Sequence, residues 1–321
     1  MTDAAADGKE ASGSQCPVGK LRIGTAGFGM SHWAGNFFPP HVKKSEEQLE
    51  VYQETFFTVE INGSFYGMPA ETTFASWKKR SVEGFELCLK VPKAVTHDGQ
   101  LNSVEALSYL ETFVRRAHSL RPRLGILLFQ CPRSLKADVK KLEAVASVLE
   151  QVAQFRVAME FRDESWFADA NVMLFLRQKN WALVDHPNTI GRATAGSQLI
   201  DDMSHSYAME PLRGTYTADF VYVRLHGNRD DHAYCYSDDE LRVIAAELHK
   251  LRCKGLDVYC FMLNDDGTAA MPKNARRLLQ LAHELQGEAA PPGPALARQR
   301  NLKSFFGVPT SNGPGKRQKL L

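Results

Sequence analysis

The feature that most constrains this chain is a regular alternation of short apolar runs with helical patterns. Eight runs of strand length occur, at Leu21–Thr25, Phe57–Ile61, Phe85–Val91, Leu124–Gln130, Phe155–Phe161, Trp181–Val184, Phe220–His226 and Val258–Leu263. Most are continuous rather than alternating in apolar residues, as expected of parallel strands buried on both faces. Helical patterns lie between them, at Ser45–Thr55, Ala70–Arg80, Ser103–His118, Ser134–Gln151, Ala168–Lys179, Ser237–Lys254 and Pro272–Leu285. Ser45 is followed by Glu47 and Gln48, and Ser237 by Asp238, Asp239 and Glu240, side chains suited to the positive end of a helix. Units of about thirty residues repeated in this way predict an α/β fold, a single (β/α)8 TIM-type barrel over residues 20–286. A doubly wound sheet would want a Gly-rich dinucleotide fingerprint after the first strand, and Gly24, Gly27 and Gly29 do not have that spacing. The sixth unit is the irregular one, with polar residues 188–217 expected to form a lid or a long loop.

Residues 1–19, rich in Ala, Gly, Ser and Asp, are expected to be disordered, and residues 287–321 to form a flexible tail that begins with a Pro/Ala/Gly linker. The early Asp3, Asp7 and Glu10, with no apolar stretch beside them, argue against a secretory signal, and no segment is apolar enough to span a bilayer. The six cysteines include no C-x-x-C pair and read as reduced thiols of a nuclear or cytoplasmic protein. A net charge of +2 gives no protein-wide field, so any pull on nucleic acid must be local.

Barrel chemistry gathers where strands end, because the βα loops form the mouth. The strand ends supply Glu60 and Asn62, Lys90, Gln130, Glu160 and Arg162, Asp185, Arg224 and His226, and Asn264 and Asp265. Phe28, Trp33, Phe65, Tyr66 and Trp166 follow closely, as packing for the rim or as stacking surfaces for a base or sugar. A polar group on nearly every strand exceeds what packing requires, since buried charges are costly unless paired. A purely structural account has Glu60, Glu160 and Asp185 neutralise Lys90, Arg162 and Arg224. Two chemistries also fit. Glu60, Glu160, Asp185 and His226 are candidate catalytic groups, the carboxylates with His226 suiting magnesium or manganese better than zinc. Alternatively Lys90, Arg162 and Arg224 clamp a phosphate while Glu60 or Glu160 acts as general base, with Asn62, Gln130, Trp166 and Asn264 as further substrate contacts.

Taken in order, LRIGTAGFGMSHWAGNFFPP, TVEINGSFY, LKVPKAVTH, LFQCP, MEFRDESWF, YVRLHG and LNDD resemble the YecE-like family, the domain of unknown function seventy-two. The resemblance spans residues 21–285 and implies a TIM barrel with a polar pocket at its mouth, without an established reaction. A likeness of such barrels to xylose-isomerase-like and endonuclease-IV-like architectures suggests nucleic-acid work by fold analogy.

The tail resembles a PIP box, the peptide that binds the sliding clamp PCNA, through Gln299, Leu302, Phe305 and Phe306 in motif 299–306. A single 3₁₀ turn would bring Leu302, Phe305 and Phe306 together as an apolar plug, with Arg298, Arg300 and Lys303 facing an acidic clamp surface. The expectation is a barrel hydrolase of DNA or another phosphodiester, recruited to replication or repair through PCNA. The alternatives are a sugar-phosphate or nucleotide enzyme independent of DNA, and a non-catalytic clamp adaptor.

Overall fold

The computed structural model describes residues 18–185, 216–227, 233–263 and 265–305, with side chains through Gln299. Eight strands are present: β1 Leu21–Thr25, β2 Thr58–Ile61, β3 Glu86–Lys90, β4 Leu124–Gln130, β5 Arg156–Glu160, β6 Ala182–Asp185, β7 Phe220–Leu225 and β8 Asp257–Met262. All paired neighbours are parallel, in the order β1-β8-β7-β6-β5-β4-β3-β2. The ring closes at the mouth, where Ala26 bridges to Glu60 and the Gly27 N–H donates to the Glu60 carbonyl at 2.8 Å. The expected (β/α)8 barrel is therefore the fold, with strand limits within two residues of those read from apolar runs.

The main helices are α1 Ser45–Tyr52, α2 Gly63–Tyr66, α3 Glu71–Arg80, α4 Val104–His118, α5 Val139–Val152, α6 Ser165–Ala168, α7 Ala170–Lys179, α8 Asp238–Cys253 and α9 Ala270–Glu284. Ser237 caps α8 in a full capping box with Glu240. Ser45 instead lies inside α1, and the cap position falls to Lys44, whose side chain makes no capping bond. Helix α5 starts later than the sequence pattern implies because Asp138 takes the Lys140 N–H and sets the first turn there. Sequence periodicity missed α2, α6, a 3₁₀ turn at Ser31–Trp33 and a π turn at Ala94–Asp98, each too short for a repeat to register. All four lie in the loops that follow strands and so build the mouth.

Strand alternation divides the core in two. Leu87, Leu127, Val157, Val223 and Val258 pack outward against the helices. Cys88, Ile126, Leu128, Ala158, Val184, Phe220, Tyr222, Tyr259 and Phe261 fill the lumen. Below them a polar floor closes the barrel: the Tyr259 hydroxyl donates to Glu86 at 2.6 Å, and Arg156 donates to the Tyr259 oxygen at 2.9 Å. Arg156 also lies 3.4 Å from Asp257 and its guanidinium sits 4.2 Å over the Phe220 ring. Among the described residues these contacts close the floor end of the lumen.

The stretch expected as a linker contains a tenth helix, α10 Pro294–Phe305. Pro294 suits a first helical position, and Ala295, Leu296 and Ala297 are good helix formers. The Gly293 N–H donates to the Glu54 carbonyl at 2.9 Å and the Ala295 N–H to the Gln53 carbonyl at 3.1 Å, anchoring the helix beside the entry to β2. A Cβ at residue 293 would come within 2.3 Å of the Gln53 oxygen, so only glycine permits this approach. Residues 1–17, 186–215 and 306–321 lie outside the described residues, and with them Phe306 and most of the irregular sixth unit. Among the described residues no helix is long and apolar enough to cross a membrane, and the cysteines Cys88, Cys131, Cys235, Cys253 and Cys260 are free.

Candidate functional site

The alternation that sends Tyr222, Cys88 and Ala158 into the lumen also sends Arg224, Lys90 and Glu160 inward two residues later, at the mouth. Arg224 organises this layer. Its Nε donates to Glu60 Oε2 at 3.0 Å and its Nη2 to Glu60 Oε1 at 2.9 Å, while Nη1 donates to Glu160. Tyr222 adds a hydroxyl bond to Glu60 at 2.8 Å, and Arg162 Nε donates to Glu160 Oε1 at 2.9 Å. The chain Tyr222–Glu60–Arg224–Glu160–Arg162 thus links β7, β2 and β5 through groups that are almost wholly buried up to the partly exposed Arg162. Burial alone would lower the Arg224 pKa, but Glu160 and Glu60 more than reverse this, so the guanidinium stays charged. Burial first, and then the charge of Glu60, raise the Tyr222 phenol well above its ordinary range, so it remains a donor.

Lys90 stands beside this network without joining it. Its ammonium sits 4.0 Å over the Phe65 ring, and among the described residues no carboxylate pairs with it and no acceptor binds it. Burial, followed by the repulsion of Arg224, pushes its pKa down to about 8 against the opposing pull of Glu60 and Glu160. Ser64 fixes the arrangement from α2, donating to the carbonyls of Ile61 at 2.9 Å and Lys90 at 2.6 Å. The π turn after β3 brings His97 to the same ring, with 5.1 Å between the centroids of His97 and Phe65. The Thr96 hydroxyl and His97 Nδ1 share a bond of 2.9 Å. Burial, then the charges of Lys90 and Arg162, lower the His97 pKa and keep the ring neutral near pH 7.

The other predicted residues fall into three groups. Gln130 is buried in register with Glu160, and Asn62 starts α2 with its Oδ1 buried and without a partner among the described residues. His226 follows β7 at the turn made by Gly227, whose φ of +70° and N–H bond to the Tyr236 hydroxyl at 2.6 Å hold the loop close. Asn264 lies outside the described residues, but its neighbour Asp265 ties the first and last loops together. Asp265 accepts from Trp33 Nε1 at 2.7 Å and lies 3.3 Å from His32 Nε2.

Two predicted residues are not brought to the cluster. Trp166 is fully buried, stacked on Phe161 with ring centroids 4.2 Å apart and planes nearly parallel, with its N–H given to the Leu135 carbonyl at 2.7 Å. No face is left for a substrate. Asp185 shares its strand face with Leu183 and so points outward, where its charge is felt by Cys260. Burial pushes its pKa up to about 7, and its Oδ2 has no partner among the described residues. Tyr222 and His97 are residues of this mouth that strand-end reasoning missed, His97 because it lies seven residues past the end of β3 in the π turn, while Tyr222 left a sequence signal. For Tyr222 the available signal was its place two residues before Arg224 in YVRLHG, since those two share a face.

A magnesium or manganese ion does not fit this arrangement. The oxygens of Glu60 and Glu160 are already bound by guanidinium and phenol donors, and a dication there would face Arg224 and Lys90. No three His, Cys, Asp or Glu residues among the described ones are grouped to hold a metal. Glu60 and Glu160 are thus ion-paired with Arg224 and Arg162, while Lys90 has no carboxylate contact among the described residues.

The sequence profile described as "Protein of unknown function DUF72" matches residues 22–298, beyond the predicted barrel limit and into α10. UPF0759 protein YecE of Escherichia coli K12 is 25% identical over 209 residues, covering 63% of this chain and 74% of that protein. UPF0759 protein YunF of Bacillus subtilis is 24% identical over 275 residues, covering 79% and 93%. A DUF72 family protein from Thermotoga maritima superposes with a TM-score of 0.62 at 23% identity, covering 84% of this chain and 100% of that one. The similarity to that structure concerns the fold.

Proposed function

This chain belongs to the DUF72 family of proteins of unknown function, and we propose that its barrel mouth is an enzyme site that binds and cleaves a phosphate ester without a bound metal. The observation that carries this reading is the unneutralised ammonium of Lys90. Among the described residues three cations, Lys90, Arg162 and Arg224, gather about Glu60 and Glu160, and Lys90 is the one of the three without a carboxylate contact. An anion seated against Lys90 and Arg162 would complete the set. His97, neutral near pH 7 and packed on the same aromatic ring, is the group placed to move a proton. Glu60 and Glu160 then act by holding Arg224 in place.

The substrate class we assign is a DNA phosphodiester, reached through the sliding clamp PCNA in the nucleus, with Gln299, Leu302, Phe305 and Phe306 as the clamp-binding residues. In α10 positions 299, 302 and 305 follow one another at helical spacing, and Gln299 is exposed. A small sugar phosphate or nucleotide, used in nucleus or cytoplasm without DNA, is the second reading. The deep burial of Glu60 and Arg224 favours it, because only a small group can reach that layer.

Thermal shift with inorganic phosphate, deoxyribose 5-phosphate and single-stranded DNA tests the mouth, since a ligand of the folded state raises the melting temperature. Stabilisation that disappears in Lys90→Met supports the site. Equal stabilisation of both proteins refutes it. Calorimetry of the full chain against PCNA, with the Phe305→Ala/Phe306→Ala double variant beside it, tests recruitment. Binding only by the unaltered chain supports the clamp reading, and no binding by either removes it.

A further inference from the structure

Lys90 differs from an ordinary anion-clamping lysine. The residue is 8% exposed, its ammonium lies on the Phe65 ring, and the foremost charge acting on it is the repulsion of the fixed Arg224 guanidinium, ahead of the opposing pull of Glu60 and of Glu160. Desolvation combined with a nearby cation is the setting in which a lysine amine becomes a nucleophile. Arg224 cannot relieve Lys90 by moving, because Glu60 and Glu160 hold it from two sides. The geometry points to Lys90 as the nucleophile that forms an imine with an aldehyde or ketone carrying a phosphate ester. This inference rests on the anion-binding reading of the same mouth and supplies its route to cleavage without a metal.

The chemistry balances with water alone. The neutral Lys90 Nζ attacks the carbonyl carbon, forming a C–N bond while the carbonyl π electrons move to oxygen. That oxygen leaves as water after taking up two protons, one of them from the nitrogen, and a protonated C=N bond remains. The cationic imine acidifies the adjacent C–H, and His97 accepts that proton. The C–H electrons form a new C=C bond and, where a phosphate ester stands on the next carbon, expel it with its C–O electrons. Water then hydrolyses the imine and restores the Lys90 amine. With the Lys90 pKa pushed down to about 8, on the order of a tenth of the molecules carry a neutral amine at pH 7, against a far smaller fraction for a solvent-exposed lysine.

Two sources offer this carbonyl: the ring-opened form of a deoxyribose that has lost its base within DNA, and a free sugar phosphate. The full chain is incubated with sodium borohydride and either a single-stranded oligonucleotide carrying one base-free site or deoxyribose 5-phosphate. Intact mass and peptide mapping then locate any reduced adduct, while anisotropy or thermal shift follows binding of the same probe. The expected result is one adduct, mapped to Lys90 in the unaltered protein and absent from Lys90→Arg, which keeps the positive charge. An adduct with the oligonucleotide alone assigns the DNA source, and one with the sugar phosphate alone assigns the free metabolite. Binding with no adduct, or with adducts only on exposed lysines, overturns the nucleophile and leaves the anion site standing. Neither binding nor adduct overturns both.

Discussion

Arg224 on β7 reaches across the lumen to both carboxylate oxygens of Glu60 on β2, at 3.0 and 2.9 Å, although two strands separate them in the ring. The contact ties opposite walls where backbone closure between β1 and β2 rests on a single bridge at Ala26. Arg224→Met leaves two buried carboxylates without their cation, and urea unfolding at neutral pH should show a loss of about 3–5 kcal/mol. Arg224→Lys should also be costly, because an ammonium cannot reproduce the fork. A loss below about 1 kcal/mol in the Met variant would mean that the network does not carry the mouth.

Asp185 should give the protein a pH dependence of opposite sign to that of an ion-paired carboxylate. Its folded pKa is raised from 3.8 to about 7 by burial, so the folded state keeps a proton that the unfolded state releases. The contribution is fully present below the unfolded pKa and is lost as pH rises towards 7, by at most about 4 kcal/mol at about 1.4 kcal/mol per unit. Denaturation midpoints taken between about pH 4 and pH 8 should fall with pH in the natural protein, and this decline should shrink in Asp185→Asn. An unchanged slope in the variant would assign the dependence to other groups.

Asp265→Ala removes the acceptor of the fully buried Trp33 indole. An unsatisfied buried donor costs about 1–3 kcal/mol. The loss should be localised, with amide exchange rising in the loop after β1 and the barrel strands remaining protected. Uniform acceleration across all strands would argue against a local loop clasp.

For the tail, Gly293→Ala should weaken the seat of α10 by forcing a Cβ against the Gln53 carbonyl. Limited proteolysis should then cut between Gly287 and Arg298 faster than in the unaltered chain, while the proposed binding to PCNA, where calorimetry detects it, should stay within about twofold. The Phe305→Ala/Phe306→Ala variant should show the reverse, with cleavage unaltered and binding lost. If both variants behaved alike, docking and recruitment would be one function.

The strands were legible in the sequence because burial on two faces leaves continuous apolar runs, as in Leu124–Gln130, which match the observed limits of β4. The polar residue at each strand end was legible for the same reason: it interrupts such a run. Side-chain direction was less so. Asp185 and Glu160 both end strands, yet parity turns Asp185 towards the helices and Glu160 into the lumen. The sequence leaves Trp166 open between rim packing and a stacking surface, because nothing in it reveals that Phe161 covers its face. The partnering of Arg224 with both glutamates depends on distances across the barrel, which no local pattern encodes. Helix α10 was obscured by its prolines and glycine, although Gly293 supplies the close contact that seats it.

The anchoring of α10 on Gln53 and Glu54 sets a direction as well as a position. Those residues precede β2, at the floor of the barrel, whereas Lys90, Arg224 and His97 open on the opposite side. A clamp that gripped the motif at 299–306, as proposed, would hold the barrel through a segment seated at its floor, like a cup tethered at its base. The strand encircled by the clamp would then be out of line with the opening, and DNA entering it would have to be a flap, a free end or a bent stretch beyond the ring. Reach, as much as chemistry, would decide which phosphates this protein meets.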